Sequence, residues 1–126
     1  MNKYEITNQW LAGFIDGEGC FNVTRTRTNI FPRLLIVNTN IDILYSIKEK
    51  YGGDISSSRN GKDNWKTFNC YRASWKSFRK ILQEVLPYLT IKKEVALICI
   101  KILETKDRVK REELRQIVKS MNKKGI

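Results

Sequence analysis

With 126 residues the chain has room for one domain with a single core and not for two. Lys and Arg number 24 against 13 Asp and Glu, so a net charge of +11 makes a polyanion the first partner to consider, and the absence of His removes the commonest catalytic base and metal ligand. Any metal must be held by oxygen or sulfur, and cysteines scattered at 20, 70 and 99 without CxxC spacing argue against zinc and for reduced thiols in an intracellular compartment.

Residues 1–6 are polar and do not read as a secretory leader. The longest strongly apolar stretch, 95–100, is too short to span a bilayer, and no basic amphipathic anchor stands out, so a soluble protein without membrane contact is expected. Thr7 or Asn8 can cap a first helix in which Trp10/Phe14 and Leu11/Ile15 recur at i,i+4. Gly13 and Gly17 fall on one face of it, and a helical glycine costs about 1 kcal/mol relative to alanine, so two of them need a packing reason.

The spacing then predicts a strand over 20–28, with Phe21 and Val23 on one face and Asn22, Thr24, Thr26 and Thr28 on the other. A second strand follows at 33–37, whose continuous apolar character leaves its facing open. Asn38 and Asn40 supply stop and cap signals for a helix over 41–51, with Ile43, Leu44 and Ile47 as its stripe and Gly52-Gly53 as its exit. Strands at 54–58 and 66–74 flank a polar turn whose Asn60-Gly61 pair favours a hairpin. Ser74 can cap a helix to Leu86 that Pro87 halts, another runs over 93–105, and a last one over 111–121 turns Leu114, Ile117 and Val118 inward. The order α-β-β-α-β-β-α-α-α is an α+β arrangement with strands in two hairpins and helices layered on one face.

The run LAGFIDGEG at 11–19, followed at once by the alternating strand, resembles the signature of the LAGLIDADG homing endonucleases and the related intron maturases. The resemblance extends to the Asn38–Asn40 turn, the Tyr51-Gly52-Gly53 helix exit and Leu86-Pro87-Tyr88-Leu89-Thr90-Ile91-Lys92-Lys93, and so covers most of the chain. It implies one α-β-β-α-β-β-α domain over 1–126, with extra C-terminal helices and an antiparallel four-stranded DNA-binding sheet. It further implies sequence-specific double-strand cleavage of DNA by Mg²⁺-dependent phosphodiester hydrolysis, with Mn²⁺ able to substitute, leaving 3′ overhangs.

By the same resemblance, Glu18 and the Gly17 carbonyl hold the metal, and Lys92, or its neighbour Lys93, stands beside it as a catalytic ammonium. Asn38, or else Asn40, supplies a polar side chain that organises water. Two motif helices are implied to pack side by side through Leu11, Ala12, Gly13, Asp16 and Gly17, with Asp16 mainly fixing backbone. One motif per chain then calls for a homodimer on a long, nearly palindromic target.

Recognition is expected from the sheet, which can enter the major groove. The candidates are Asn22, Thr24, Arg25, Thr26, Arg27, Thr28 and Arg33 in the first hairpin, and Ser56, Ser58, Arg59, Lys66 and Arg72 in the second. The bland alternative for the charges is a solvated edge that discourages aggregation. Two rival functions share the fold: a maturase binding intron RNA without hydrolysis, and a DNA-binding regulator that has lost its acids. The presence of Glu18 and Lys92 argues against the second. The compartment implied is reducing and intracellular, an organelle such as a mitochondrion or chloroplast included.

Overall fold

The computed structural model describes residues 4–58 and 68–124. Helix α1 (Asn8–Glu18) begins where Thr7 accepts the Trp10 N–H, and it hands over directly to strand β1 (Gly19–Arg25). Strand β2 (Ile30–Asn38), helix α2 (Ile41–Tyr51), strands β3 (Asp54–Ser58) and β4 (Phe68–Arg72), and helices α3 (Trp75–Val85), α4 (Lys93–Glu104) and α5 (Arg108–Lys123) follow. A single 3₁₀ turn over Leu86–Tyr88, with Pro87 in its first turn, separates α3 from α4. The strands form one antiparallel sheet in the order β1-β2-β4-β3. The expected α+β architecture, two hairpins with helices on one face, is the one observed.

Packing explains the layering. Leu11, Ala12 and Ile15 of α1, Leu44 and Ile47 of α2, Phe78 and Ile81 of α3 and Cys99 and Ile102 of α4 meet Phe21, Leu34, Ile36 and Tyr71 of the sheet in one buried cluster. No helix among the described residues is long and apolar enough to cross a membrane. The Gly52-Gly53 exit from α2 is needed for its conformation: both residues have positive φ, 84° and 103°, and a Cβ on Gly53 would lie 2.7 Å from the Arg72 carbonyl.

The first hairpin corrects two expectations. β1 stops at Arg25, because Thr26 turns the chain: its N–H donates to the Asn29 carbonyl at 2.7 Å, and its hydroxyl oxygen accepts the Asn29 N–H at 3.0 Å. Thr26, Arg27 and Thr28 therefore form the exposed turn and not a strand face. β2 starts earlier than 33 and has a clear facing, with Ile30, Pro32, Leu34 and Ile36 inward and Phe31, Arg33, Leu35 and Val37 outward. Pro32 is tolerated because β4 pairs only with Leu35 to Asn38, which leaves the proline where β2 has no second neighbour.

α5 begins three residues before the expected 111, capped by Asp107, which accepts the Val109 N–H at 3.2 Å. It runs beside β1, an edge strand, and ties it down. The Asn122 amide donates to the Phe21 carbonyl at 2.7 Å, and Arg25 pairs with Glu112 at 3.1 Å. Arg108 donates to the Thr26 carbonyl at 3.0 Å and Arg111 to the Ile30 carbonyl at 2.8 Å. A helix over the free edge protects it from pairing with other strands.

Candidate active site and nucleic-acid interface

α4 has no side-chain cap of its own. A carboxylate from the far end of α1 replaces it: Asp16 accepts the Thr90 N–H at 2.9 Å and hydroxyl at 2.8 Å on one oxygen, and the Lys92 N–H at 2.9 Å on the other. The Lys92 ammonium in turn donates to the Asp16 backbone carbonyl at 2.7 Å. An anion thus sits at the positive start of α4 and a cation at the negative end of α1, the favourable sign in both places. Burial would raise the Asp16 pKa, but the hydrogen bonds from Lys92 and Thr90 outweigh it and hold the carboxyl below its ordinary 3.8.

The clasp fixes Lys92 at the C-terminal end of α1. Glu18, two residues beyond Asp16, is exposed and makes no hydrogen bond or ion pair within the described residues. Lys92 is half-buried and bonded at its side, whereas Lys93 is exposed in the first turn of α4, so the geometry separates the two lysines. Asn38 is committed to its turn, its side chain accepting the Asn40 N–H at 2.8 Å, while Asn40 caps α2 by accepting the Ile43 N–H at 3.3 Å.

α1 has a second, open side. Gly13 and Gly17 are exposed, and nothing lies within 4 Å of where a Cβ would stand on either. Beside them Trp10, 38% exposed, stacks on Phe14 with ring centroids 4.8 Å apart. Leu11 and Ala12, expected at a subunit contact, are instead fully enclosed by the chain's own core, and Asp16 is taken up by the clasp. The face available for a neighbour is Trp10, Gly13, Phe14 and Gly17, at i, i+3, i+4 and i+7.

Among the described residues, the outer face of the sheet carries no helix. Its cross-strand rows, counted from the first hairpin turn towards Glu18, are Thr24–Phe31, Asn22–Arg33, Cys20–Leu35–Arg72–Asp54 and Val37–Cys70–Ser56, with Phe68 and Ser58 paired beyond. Of the expected DNA-contacting residues, Asn22, Thr24, Arg33, Ser56 and Arg72 lie on this face. Arg25 turns towards α5, and Thr26, Arg27 and Thr28 cap the hairpin. Arg59 and Lys66 lie outside the described residues.

The sequence model of the LAGLIDADG endonuclease family matches residues 11–107. The chain belongs to the LAGLIDADG endonuclease family. Among solved structures, this LAGLIDADG chain is similar to the homing endonuclease I-CvuI in complex with its target in the presence of Ca, at 25% identity and TM-score 0.68 over 88% of this chain and 78% of that one. It shares its fold with the archaeal intron-encoded homing endonuclease I-Vdi141I complexed with DNA, at 21% identity and TM-score 0.72 over 90% and 82%. It is also similar to the LAGLIDADG homing endonuclease I-SmaMI bound to cleaved DNA, at 28% identity and TM-score 0.63 over 90% of this chain and 40% of that one. No curated protein matches the chain.

The donor set of the LAGLIDADG motif suits a hard divalent ion. No three His, Cys, Asp or Glu residues cluster among the described residues. Glu18 nevertheless offers an unpartnered carboxylate at the carbonyl-rich end of α1, where the helix dipole disfavours an anion unless a cation accompanies it. A second Glu18 from a second α1 would double the oxygen donors. Two residues of the site escaped sequence reasoning. Thr90, which gives two of the hydrogen bonds to Asp16, carries no signal beyond its place in the Tyr88-Leu89-Thr90 run. Buried Asn69 takes the Ser57 hydroxyl at 2.7 Å and donates to the Asn38 and Thr39 carbonyls, pinning β4 to the turn before α2.

Proposed function

We propose that this chain cuts double-stranded DNA at a specific, nearly palindromic site, as a homodimer whose two α1 helices meet through Trp10, Gly13, Phe14 and Gly17. The observation that carries the reading is the clasp, which fixes the Lys92 ammonium on the Asp16 carbonyl, two residues before a Glu18 that has no partner among the described residues. Glu18 from each copy, with the Gly17 carbonyl, would hold a hard divalent ion, and such an ion offsets charge on the attacking and leaving oxygens of a phosphodiester. Structures of I-CvuI with DNA were obtained with Ca and with Mg, which supports a divalent ion of this class.

The chain's own groups have distinct tasks. Glu18 fixes the position of the ion relative to the scissile phosphate. Lys92, whose ammonium keeps donors free after binding the Asp16 carbonyl, stabilises negative charge as it builds on the phosphoryl oxygens. Asp16 positions both by locking α4 to α1 and does not touch the phosphate. The sheet docks in the major groove, with Arg33 and Arg72 and the cationic surface neutralising backbone charge.

The test is plasmid cleavage in Mg²⁺ on a target selected from a randomised duplex library, with wild type compared with Glu18→Gln. Wild type should nick and linearise, and the variant should bind without cutting, because it keeps side-chain volume and loses only the charge. Equal cleavage by both would overturn Glu18 as the ligand. Tight binding of folded intron RNA with no cleavage by either would favour a maturase.

A further inference from the structure

We propose that the end of the outer sheet face nearest Glu18 reads thymine methyl groups, with Leu35 and Val37 as specificity-determining residues backed by Cys70 and Phe68. The inference rests on the DNA-binding reading above and adds what the bound sequence must contain.

Four observations lead to it. Val37 is 45% exposed and Phe68 38%, and half-buried Leu35 is outside the core cluster and does not pack against it, so these side chains do not serve the fold. They are grouped: Leu35 and Val37 stand in adjacent cross-strand rows, Cys70 is the partner of Val37, and Phe68 opens β4 beyond them. The group is bordered by Arg33 and Arg72 on the same face of a chain of net charge +11, which favours a polyanion over an apolar protein partner as its occupant. It also lies at the sheet end where β1 leaves Glu18, and so faces base pairs near the scissile phosphates when the sheet docks.

In the major groove of DNA the apolar group on a base edge is the thymine 5-methyl, and apolar side chains are its natural readers. A-form RNA buries that groove too deeply for side chains to enter, so the strip suits duplex DNA. Residues two apart on one face of a strand are separated by about 6.8 Å, or about two base steps, so the methyls read by Leu35 and Val37 should fall about two base pairs apart.

The experiment uses wild-type protein in Ca²⁺ to select bound sites from a randomised duplex library. The consensus is then remade with dU in place of each dT in turn. One or two central dU substitutions should weaken binding about four-fold each, the loss expected for one methyl-sized apolar group. Val37→Ser and Leu35→Ser, which leave no methyl group to meet the base, should bind the dT and dU duplexes alike while still unfolding in one cooperative transition. Unchanged affinity for every dU duplex, a consensus without central thymine, or variants that keep the full dT preference would each overturn the proposal. Capture of no duplex at all would overturn it together with the DNA-binding reading, whereas binding without methyl discrimination overturns the proposal alone.

Discussion

The two sides of α1 are built on opposite principles. Towards the core, Leu11, Ala12 and Ile15 are fully buried, and the clasp through Asp16 satisfies both carboxylate oxygens. On the outward side the glycines leave open space, an aromatic pair is partly exposed, and Glu18 has no partner among the described residues. Helix propensity favours neither glycine, and an unpaired carboxylate at a helix C-terminus is electrostatically disfavoured. The finished side serves folding, and on the function proposed above the unfinished side serves association and chemistry, so damage to each should be separable.

Filling the open side should have the largest effect. Gly13→Leu adds a branched side chain where a second helix must approach, without touching the chain's own core, and should abolish both dimerisation and cleavage while leaving the monomer folded. Sedimentation with circular dichroism checks this, and a dimeric, active variant would break the contrast. Lys92→Met removes a charge-stabilising donor and should lower the cleavage rate on the order of 100-fold, with DNA binding retained. Single-turnover cleavage against binding in Ca²⁺ separates the two effects.

The closed side should respond in stability. Asp16→Ala removes the substitute cap of α4 and should cost about 2 kcal/mol in urea unfolding. Because the folded Asp16 carboxyl lies below its ordinary value, its contribution is complete above that value and is lost as pH falls through the lowered one. Wild-type stability should therefore fall below about pH 4 more steeply than that of Asp16→Asn, as unfolding titrations at stepped pH would register. Smallest per contact is the salt response of DNA binding: at about −0.9 per phosphate, a dimer docked by both sheets should give a log–log slope steeper than about −4. A slope near −1 would mean that the sheet does not carry the contacts.

What the sequence revealed depended on the range of the interaction. Thr7, Asn40 and Ser74 act within three residues, and the helices they start were legible from those positions. The facing of β2 was not, because Phe31, Leu35 and Val37 are apolar like the inward residues and hide the alternation that would have marked it. The clasp was legible only in part: the motif pointed to Asp16 and Glu18 and the Leu86–Lys93 segment to Lys92 or Lys93, but hydrogen bonds spanning 74 to 76 residues have no local signature. The resemblance implies Leu11 and Ala12 at an interface, whereas 3.6-residue periodicity turns them to the core, turns Trp10 outward and leaves Phe14 partly buried against the core.

The contacts between α5 and the first hairpin bear on the entropy of binding. Arg108 and Arg111 use their guanidinium groups on carbonyls at Thr26 and Ile30, and Arg25 is held by Glu112, so several cations of this basic chain are occupied internally. In exchange, the turn carrying exposed Arg27 is ordered before any ligand arrives. A loop that is already fixed loses less conformational freedom on docking, and a tip preorganised in this way also transmits a misfit in the groove back to the sheet instead of absorbing it.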